Sequence, residues 1–195
     1  MSEGRGLGAA TKVGVVSDTH GYFDPLLTET LAGVKVILHA GDVGSEDVLE
    51  SLERIAPVYA VRGNVDSPEV SLPPSRELEL AGCHIELMHI LPFPPAELEA
   101  LGRNSPAPGE PLHRAEELGK AFQPTTEVVI FGHTHAPCRV WLGRRLFFNP
   151  GAAGKKRFTL PRSCGVLKIG PDGITAHLYS LESASAAFPS SSLGS

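Results

Sequence analysis

Five short apolar runs, each closed by a residue able to bind a metal or a phosphate, constrain this 195-residue chain more than any other feature. They read VGVVSDTH, VILHAGD, VYAVRGN, IELMH and VVIFGHTH, and they set Asp18, His20, Asp42, Asn64, His89, His133 and His135 just past five candidate strands. Apolar, largely β-branched strands without polar alternation read as buried on both faces, the condition of a sheet covered by helices. In such folds the loops leaving the carboxyl ends of the strands meet in one crevice. The seven residues are therefore predicted to form one cluster.

Imidazole nitrogens with carboxylate or amide oxygens suit divalent transition ions such as Mn, Fe, Zn, Co or Ni, and the lack of a thiolate argues against a structural zinc or an iron–sulfur cluster. Asp18 and His20 are two residues apart, as are His133 and His135, so in extended chain each pair points to one side and can chelate. One ion cannot use seven ligands. Two ions can, if a carboxylate lies between them, and Asp42 after Gly41 is the natural bridge because the glycine lets the backbone bend tightly.

SDTHG, HAGD, RGN, a lone His after a strand, GHTH and NPGA follow one another in this order. The series resembles that of the calcineurin-like metallophosphoesterase superfamily, in particular its small bacterial and archaeal phosphodiesterases, from Val13 to about Ile174. The resemblance implies that Asp18, His20, Asp42 and His135 hold one metal and that Asp42, Asn64, His89 and His133 hold a second. Manganese comes first among the ions it implies, with Fe, Zn, Ni or Co as alternatives. Asn64, Asp42 and His133 would be the catalytic residues, with Asn64 also touching the substrate phosphate, and Gly151 would belong to a turn closing the site floor. The implied fold is a layered α/β sandwich of two mixed sheets flanked by helices.

Two positions depart from the family pattern. Many members follow the Asn of the GN motif with a His that helps protonate the leaving oxygen, whereas Val65 stands here. That predicts a preference for leaving groups that depart without strong general-acid help. After His89, where many members have Gly, the chain continues Ile90, Leu91, Pro92.

A water shared by two ions roughly 3.5–4 Å apart becomes hydroxide near neutral pH and attacks phosphorus in line. No side-chain nucleophile is then needed, in keeping with the lack of a GxSxG elbow or a flanked Cys. There is also no P-loop, which argues against Walker-type triphosphate hydrolysis. A small phosphodiester is the expected substrate. The alternatives are a phosphomonoesterase on the same site and a protein-binding scaffold like the retromer small subunit, which resembles the family but has lost ligands.

With 42% hydrophobic and 20% charged residues the chain reads as globular, with one domain over 1–182 and a Ser- and Ala-rich, disordered tail over 183–195. Its net charge of −5 supplies no field that would gather long nucleic acid. Cys83, Cys138 and Cys164 read as buried thiols of a reducing compartment. No run has transmembrane length, so a cytoplasmic location is expected, with no membrane partner and with a homodimer allowed for.

Residues 1–11 read as a loose arm. Strands are predicted at 12–17, 34–39 and 58–62, with helices at 25–31 and from Ser45 to about Ile55, the alternation of a parallel sheet. Strand pairs follow at 76–81 with 83–89, at 138–142 with 145–149, and at 163–169 with 174–179, which suggests a second sheet. The proline-rich stretch 91–112 is a lid beside the site or a surface loop.

Bland roles stand beside these. Asp18 and Asp42 are each able to cap a loop or helix without any metal, and His89 is able to be a satisfied core histidine. His39 and His84 read as structural and His113 and His177 as surface residues, while Asp66 either orients a ligand or starts the turn toward Pro68, the turn being favoured. Lys155, Lys156, Arg157 and Arg162 read as a solvated edge rather than a second phosphate site.

Overall fold

The structure, a computed structural model, describes residues 9–67, 71–98, 117–156 and 159–182. The first half runs β1 (Thr11–Val16), α1 (Leu26–Thr30), β2 (Val36–His39), α2 (Glu46–Glu53) and β3 (Val58–Ala60). The second half is β-rich: β4 (Ser75–Leu80), β5 (Cys83–Met88), β6 (Val128–Ile130), β7 (Cys138–Leu142), β8 (Arg145–Asn149), β9 (Ser163–Gly170) and β10 (Gly173–Ser180). β2 starts two residues later than expected. Val34 N–H still bonds back to Leu31 O, so the chain is leaving α1 there.

Two mixed five-stranded sheets result, in the orders β10-β9-β1-β2-β3 and β4-β5-β6-β8-β7. β1 pairs parallel to β2 and β2 to β3, while β6 lies parallel to both β5 and β8. The turns that close the hairpins have the chemistry their geometry needs. Ala81 and Gly82 both take positive φ, 51° and 76°, between β4 and β5, the signature of a tight two-residue hairpin loop.

The expectation that all five motif-bearing strands are buried on both faces holds for β1 after its first two residues, for β2 and for β6. It fails for β3 and β5. β3 is an edge strand whose Tyr59 is exposed. β5 alternates, with Cys83, Ile85 and Leu87 inward and His84 exposed on the other face, which only part of the chain covers.

Three apolar layers follow. Between the sheets, Val13, Val15, Val36 and Leu38 meet Ile85, Leu87, Val128, Ile130, Leu146 and Phe148. On the outer face of the first sheet, Leu27 and Leu31 after α1 and Val48 and Leu52 of α2 cover Val16 and Ile37. On the outer face of the second, Leu91, Leu98 and Phe122 cover Val129, Phe131 and Phe147. This is the layered α/β-β-α sandwich.

Each fully buried Leu, Ile or Phe contributes roughly 1.5–3 kcal/mol by leaving water. The layer between the sheets tolerates little change: a Cβ on Gly165 would stand 2.4 Å from the Phe148 ring. Gly165→Ala therefore forces the ring or the β9 backbone to move, an overpacking that costs about 1–3 kcal/mol.

Candidate metal centre

The strands bring the motif residues to one edge of the sandwich, where the carboxyl ends of β1, β2 and β3 face those of β5 and β6 across the gap between the sheets. The crevice thus joins two sheets. Six non-glycine residues among those described take positive φ, and five of them are Asp18, His20, Asp42, His133 and His135. Such backbone is strained for residues with a Cβ and persists only where the surroundings impose it, as happens at functional sites.

All seven predicted residues come together, and close contacts link them in a ring. Asp18 Oδ1 lies 3.2 Å from His135 Nε2, and His135 Nε2 lies 3.3 Å from His20 Nε2. His20 Nε2 is 3.9 Å from Asp42 Oδ2, which is 3.3 Å from His89 Nε2. Asn64 Oδ1 stands 3.0 Å from both His89 Nε2 and His133 Nδ1. The ring closes where His133 N–H donates to Asp18 Oδ2 at 3.1 Å. Asp18, Asp42 and His89 are buried, His20 and His135 half-buried, and Asn64 and His133 exposed, so the ring has an inner wall and a mouth.

The donor set fits cations. His89 Nδ1 lies 2.7 Å from Ala40 O, and a carbonyl only accepts, so Nδ1 carries a proton and Nε2 faces Asp42 Oδ2 and Asn64 Oδ1, both acceptors, where a cation or a second ring proton satisfies them. Asp18 Oδ1 is buried without a hydrogen bond, although His135 Nε2 is near: the nitrogen is close but lacks the alignment of a donor. Ligand atoms of Asp18, His20 and His135 lie within 4.8 Å of one another, as do those of Asp18, Asp42 and His89, two groups that share Asp18 and are able to hold metal ions. Imidazole nitrogens, carboxylates and an amide oxygen converging in one place are an arrangement a divalent ion satisfies.

Electrostatics agree. Burial pushes the Asp42 carboxyl up, but the hydrogen bond with His89, the Val65 N–H and the His89 and His20 charges outweigh it and hold it below its ordinary value. Burial pushes His89 down, yet the Asp42 hydrogen bond, Ala40 O and the Asp18 and Asp42 charges carry it above its ordinary value. Both directions describe a spot of negative potential that favours positive charge.

Residues beyond the seven hold this ring in place. Ser17 Oγ donates to Asp18 Oδ2 at 2.6 Å. Thr19 Oγ1 donates to Val43 O at 2.9 Å and accepts from His39 Nε2 at 2.9 Å, tying the SDTH loop to the AGD loop from behind. Burial drives His39 down to about 4, so it is neutral, as its structural reading requires. Asn149 Nδ2 donates to Gly132 O at 2.9 Å and Thr134 Oγ1 at 3.0 Å, bracing the GHTH loop, while Gly151 N–H returns to Asn149 Oδ1 at 2.8 Å. The NPG sequence after a strand was the available signal for Asn149. Gly63 has no room for a side chain, since a Cβ there would stand 2.0 Å from Asp42 Oδ1.

Of the two roles the sequence offers Asp66, the orienting one is visible. Its carboxylate does more than start a turn: Oδ1 accepts from Gly44 N–H and Oδ2 from Gly63 N–H, both at 2.8 Å, so it joins the AGD and RGN loops beneath Asp42. Asp42 likewise caps no helix, because its Oδ1 accepts from Val65 N–H at 3.1 Å.

Arg162 pairs with buried Asp24 and donates to Leu181 O at 2.7 Å, Lys156 lies 3.2 Å from Glu182 Oε1, and Lys155 sits 5.8 Å over the Tyr22 ring. His177 is exposed, as expected. Cys83 and Cys164 are buried thiols, which burial pushes up to about 12, whereas Cys138 is half-buried rather than buried. The first residues of the proline-rich stretch anchor on the second sheet through Leu91 and Leu98. The remainder of the lid reading, His113, Arg157, most of the N-terminal arm and the tail lie outside the described residues. No described helix is long and apolar enough to cross a membrane.

Comparison with known proteins agrees with this geometry. A probable metallophosphoesterase of Methanothermobacter thermautotrophicus is 32% identical over 172 residues, covering 85% of this chain and 90% of that protein. Among solved structures, Vps29 of Entamoeba histolytica complexed with zinc superposes with a TM-score of 0.66 at 21% identity, covering 90% of this chain and 95% of that one. The phosphoesterase Yfce of E. coli gives 0.60 at 24% identity, covering 91% and 98%. At those identities the two structures establish the shared fold. The model of the calcineurin-like phosphoesterase superfamily domain matches residues 11–172, and the chain belongs to that superfamily of metal-dependent phosphoesterases.

Proposed function

We propose that the chain is a dinuclear metal-dependent phosphodiesterase acting on small diesters. The carrying observation is the closed ring of seven acceptor-rich side chains, with Asp18 Oδ1 buried and unbonded and the His20 and His135 Nε2 atoms 3.3 Å apart. Asp18, His20, Asp42 and His135 would hold one ion and Asp42, Asn64, His89 and His133 the other. Asp42 Oδ2 suits a shared ligand because His20 Nε2 and His89 Nε2 approach it from two sides. When bound, two divalent ions supply Lewis acidity that activates water and neutralises phosphoryl oxygens. Manganese remains the first candidate, although availability rather than ligand type often decides occupancy.

The protein's own part is positioning. Asp42, buried and held by Val65 N–H and His89, orients the centre, while Asn64 and His133 at the exposed mouth face an incoming phosphate. Asn64 can donate through its Nδ2 to a phosphoryl oxygen. Val65 moves no proton, and among the described residues Arg162 and Lys156 are paired with Asp24 and Glu182 rather than free to clamp a dianion. Both features favour diesters over monoesters.

Metal content of the protein as isolated, followed by hydrolysis of paired chromogenic mono- and diesters, tests the reading. Two ions per chain and faster diester turnover are expected. Faster monoester turnover would move the assignment to a phosphomonoesterase. Absence of both metal and activity would favour a scaffold role, for which the fold shared with Vps29 is the supporting observation.

A further inference from the structure

Four large hydrophobic side chains are exposed among the described residues, and two of them, Val65 and Ile90, directly follow the ring members Asn64 and His89. Exposed apolar residues gathered at a polar mouth call for a partner. A cavity of about 290 Å³ opens beside Ile90. Ile90, Pro92, Phe93, Pro94 and Phe131 form its apolar wall, and His133, itself part of the ring, also lines it.

That cavity lies near the lower end of the size range of ligand pockets, roughly 300–1,000 Å³, and suits one ring-sized group. Among the described residues its lining carries no Lys, Arg, Asp or Glu, so apart from His133 and Thr134 it offers an apolar surface. His133 belongs to both the ring and the cavity, which places an ester substituent of a phosphate held at the ring against the apolar wall.

We infer that this cavity is a subsite for the aromatic ring of an alcohol esterified to the phosphate, so that the preferred substrates are aryl phosphodiesters. The inference rests on the phosphodiesterase reading and names its substrate class. Two independent features agree on it. The cavity selects a flat apolar group, and Val65, standing where a proton donor would help, selects a departing alcohol acidic enough to leave unassisted, as phenols are. In the reaction one water is consumed: its oxygen bonds to phosphorus, the bond from phosphorus to the aryl oxygen breaks with its electron pair on that oxygen, and one hydrogen of the water ends on the released phenol. The other product is the phosphomonoester of the remaining alcohol.

The test is calorimetric binding of phenylphosphonate and methylphosphonate to the metal-loaded protein, in the wild type, Ile90→Ser and Phe93→Leu. Ile90 is 49% exposed, so its replacement leaves the core intact, and leucine keeps the apolar bulk at 93 while removing the ring. Phenylphosphonate should bind about tenfold tighter than methylphosphonate to the wild type, with the preference falling to about twofold or less in both variants. In parallel, KM for methyl 4-nitrophenyl phosphate should rise in the variants while kcat holds. Equal affinity for the two phosphonates, or a preference unchanged in both variants, overturns the subsite and leaves the phosphodiesterase reading standing. Binding of neither phosphonate together with no hydrolysis of methyl 4-nitrophenyl phosphate overturns that reading, and the subsite with it; binding of neither with hydrolysis retained overturns the subsite alone.

Discussion

The Nε2 atoms of His20 and His135, separated by 115 residues of sequence, face each other at 3.3 Å. Their rings are tilted at 48° with centroids 5.2 Å apart, so they do not stack; what they share is a point in space. Asp18 Oδ1 borders it, 3.2 Å from His135 Nε2. A proton on one Nε2 lets it donate to the other, and a divalent ion placed among the three atoms would instead take all their lone pairs together.

Asp42→Ala should remove both ions, since its carboxylate faces the histidines of either side, and activity should fall more than about 100-fold. His135→Ala should halve the metal content. Elemental analysis after dialysis measures both, and two ions per chain retained by Asp42→Ala would exclude the bridging role.

Val65→His should extend the substrate range. An imidazole beside Asn64 at this exposed position has room and can supply a proton to the leaving oxygen. Turnover of esters with poor leaving groups should rise about 100-fold, the lower end of what a general acid contributes, with little change for nitrophenyl esters. An equal effect on both classes would show that the residue does not act as a proton donor.

Asp66→Ala strands the N–H groups of Gly44 and Gly63, both 2.8 Å from the carboxylate. A loss of about 2–4 kcal/mol in urea unfolding is expected, together with about tenfold weaker metal binding because the AGD and RGN loops lose their tie. Asp66→Asn, which retains one acceptor oxygen, should lose less. A stability change below about 0.5 kcal/mol in the alanine variant would contradict the role.

His39 predicts acid sensitivity of the metal-free protein. Its folded value, about 4, lies below the ordinary 6.5, so the unfolded chain binds the extra proton between these values. Stability from this group is fully present above about 6.5, declines as pH falls, and is lost near 4, a span worth about 3 kcal/mol at most. Urea unfolding between pH 7 and 4.5 should fall more steeply for the wild type than for His39→Gln. Parallel curves would rule out this contribution.

Much of the site was legible because metal-ligand chemistry needs particular residue types at strand ends, and sequence shows both type and place. SDTH, HAGD, RGN and GHTH display their Asp, Asn and His whatever surrounds them, and the apolar runs before them mark the strands. The hairpins at Ala81-Gly82 and Gly143-Arg144 were equally visible, because local turn chemistry selects them.

Contacts between distant segments were not legible. Asp66 looks like any turn aspartate until the AGD loop arrives 22 residues away in sequence, and His39 like any strand histidine until Thr19 packs behind it. The alternation of β5 and the apolar cavity against His133 depend equally on which surfaces meet. Amino-acid identity alone determined which groups are able to bind a metal and where the strands end. Tertiary structure decided which lone pairs converge, which carboxylate braces instead of binding, and which apolar residues remain at the mouth, because those outcomes turn on distances between parts of the chain that local preference does not encode.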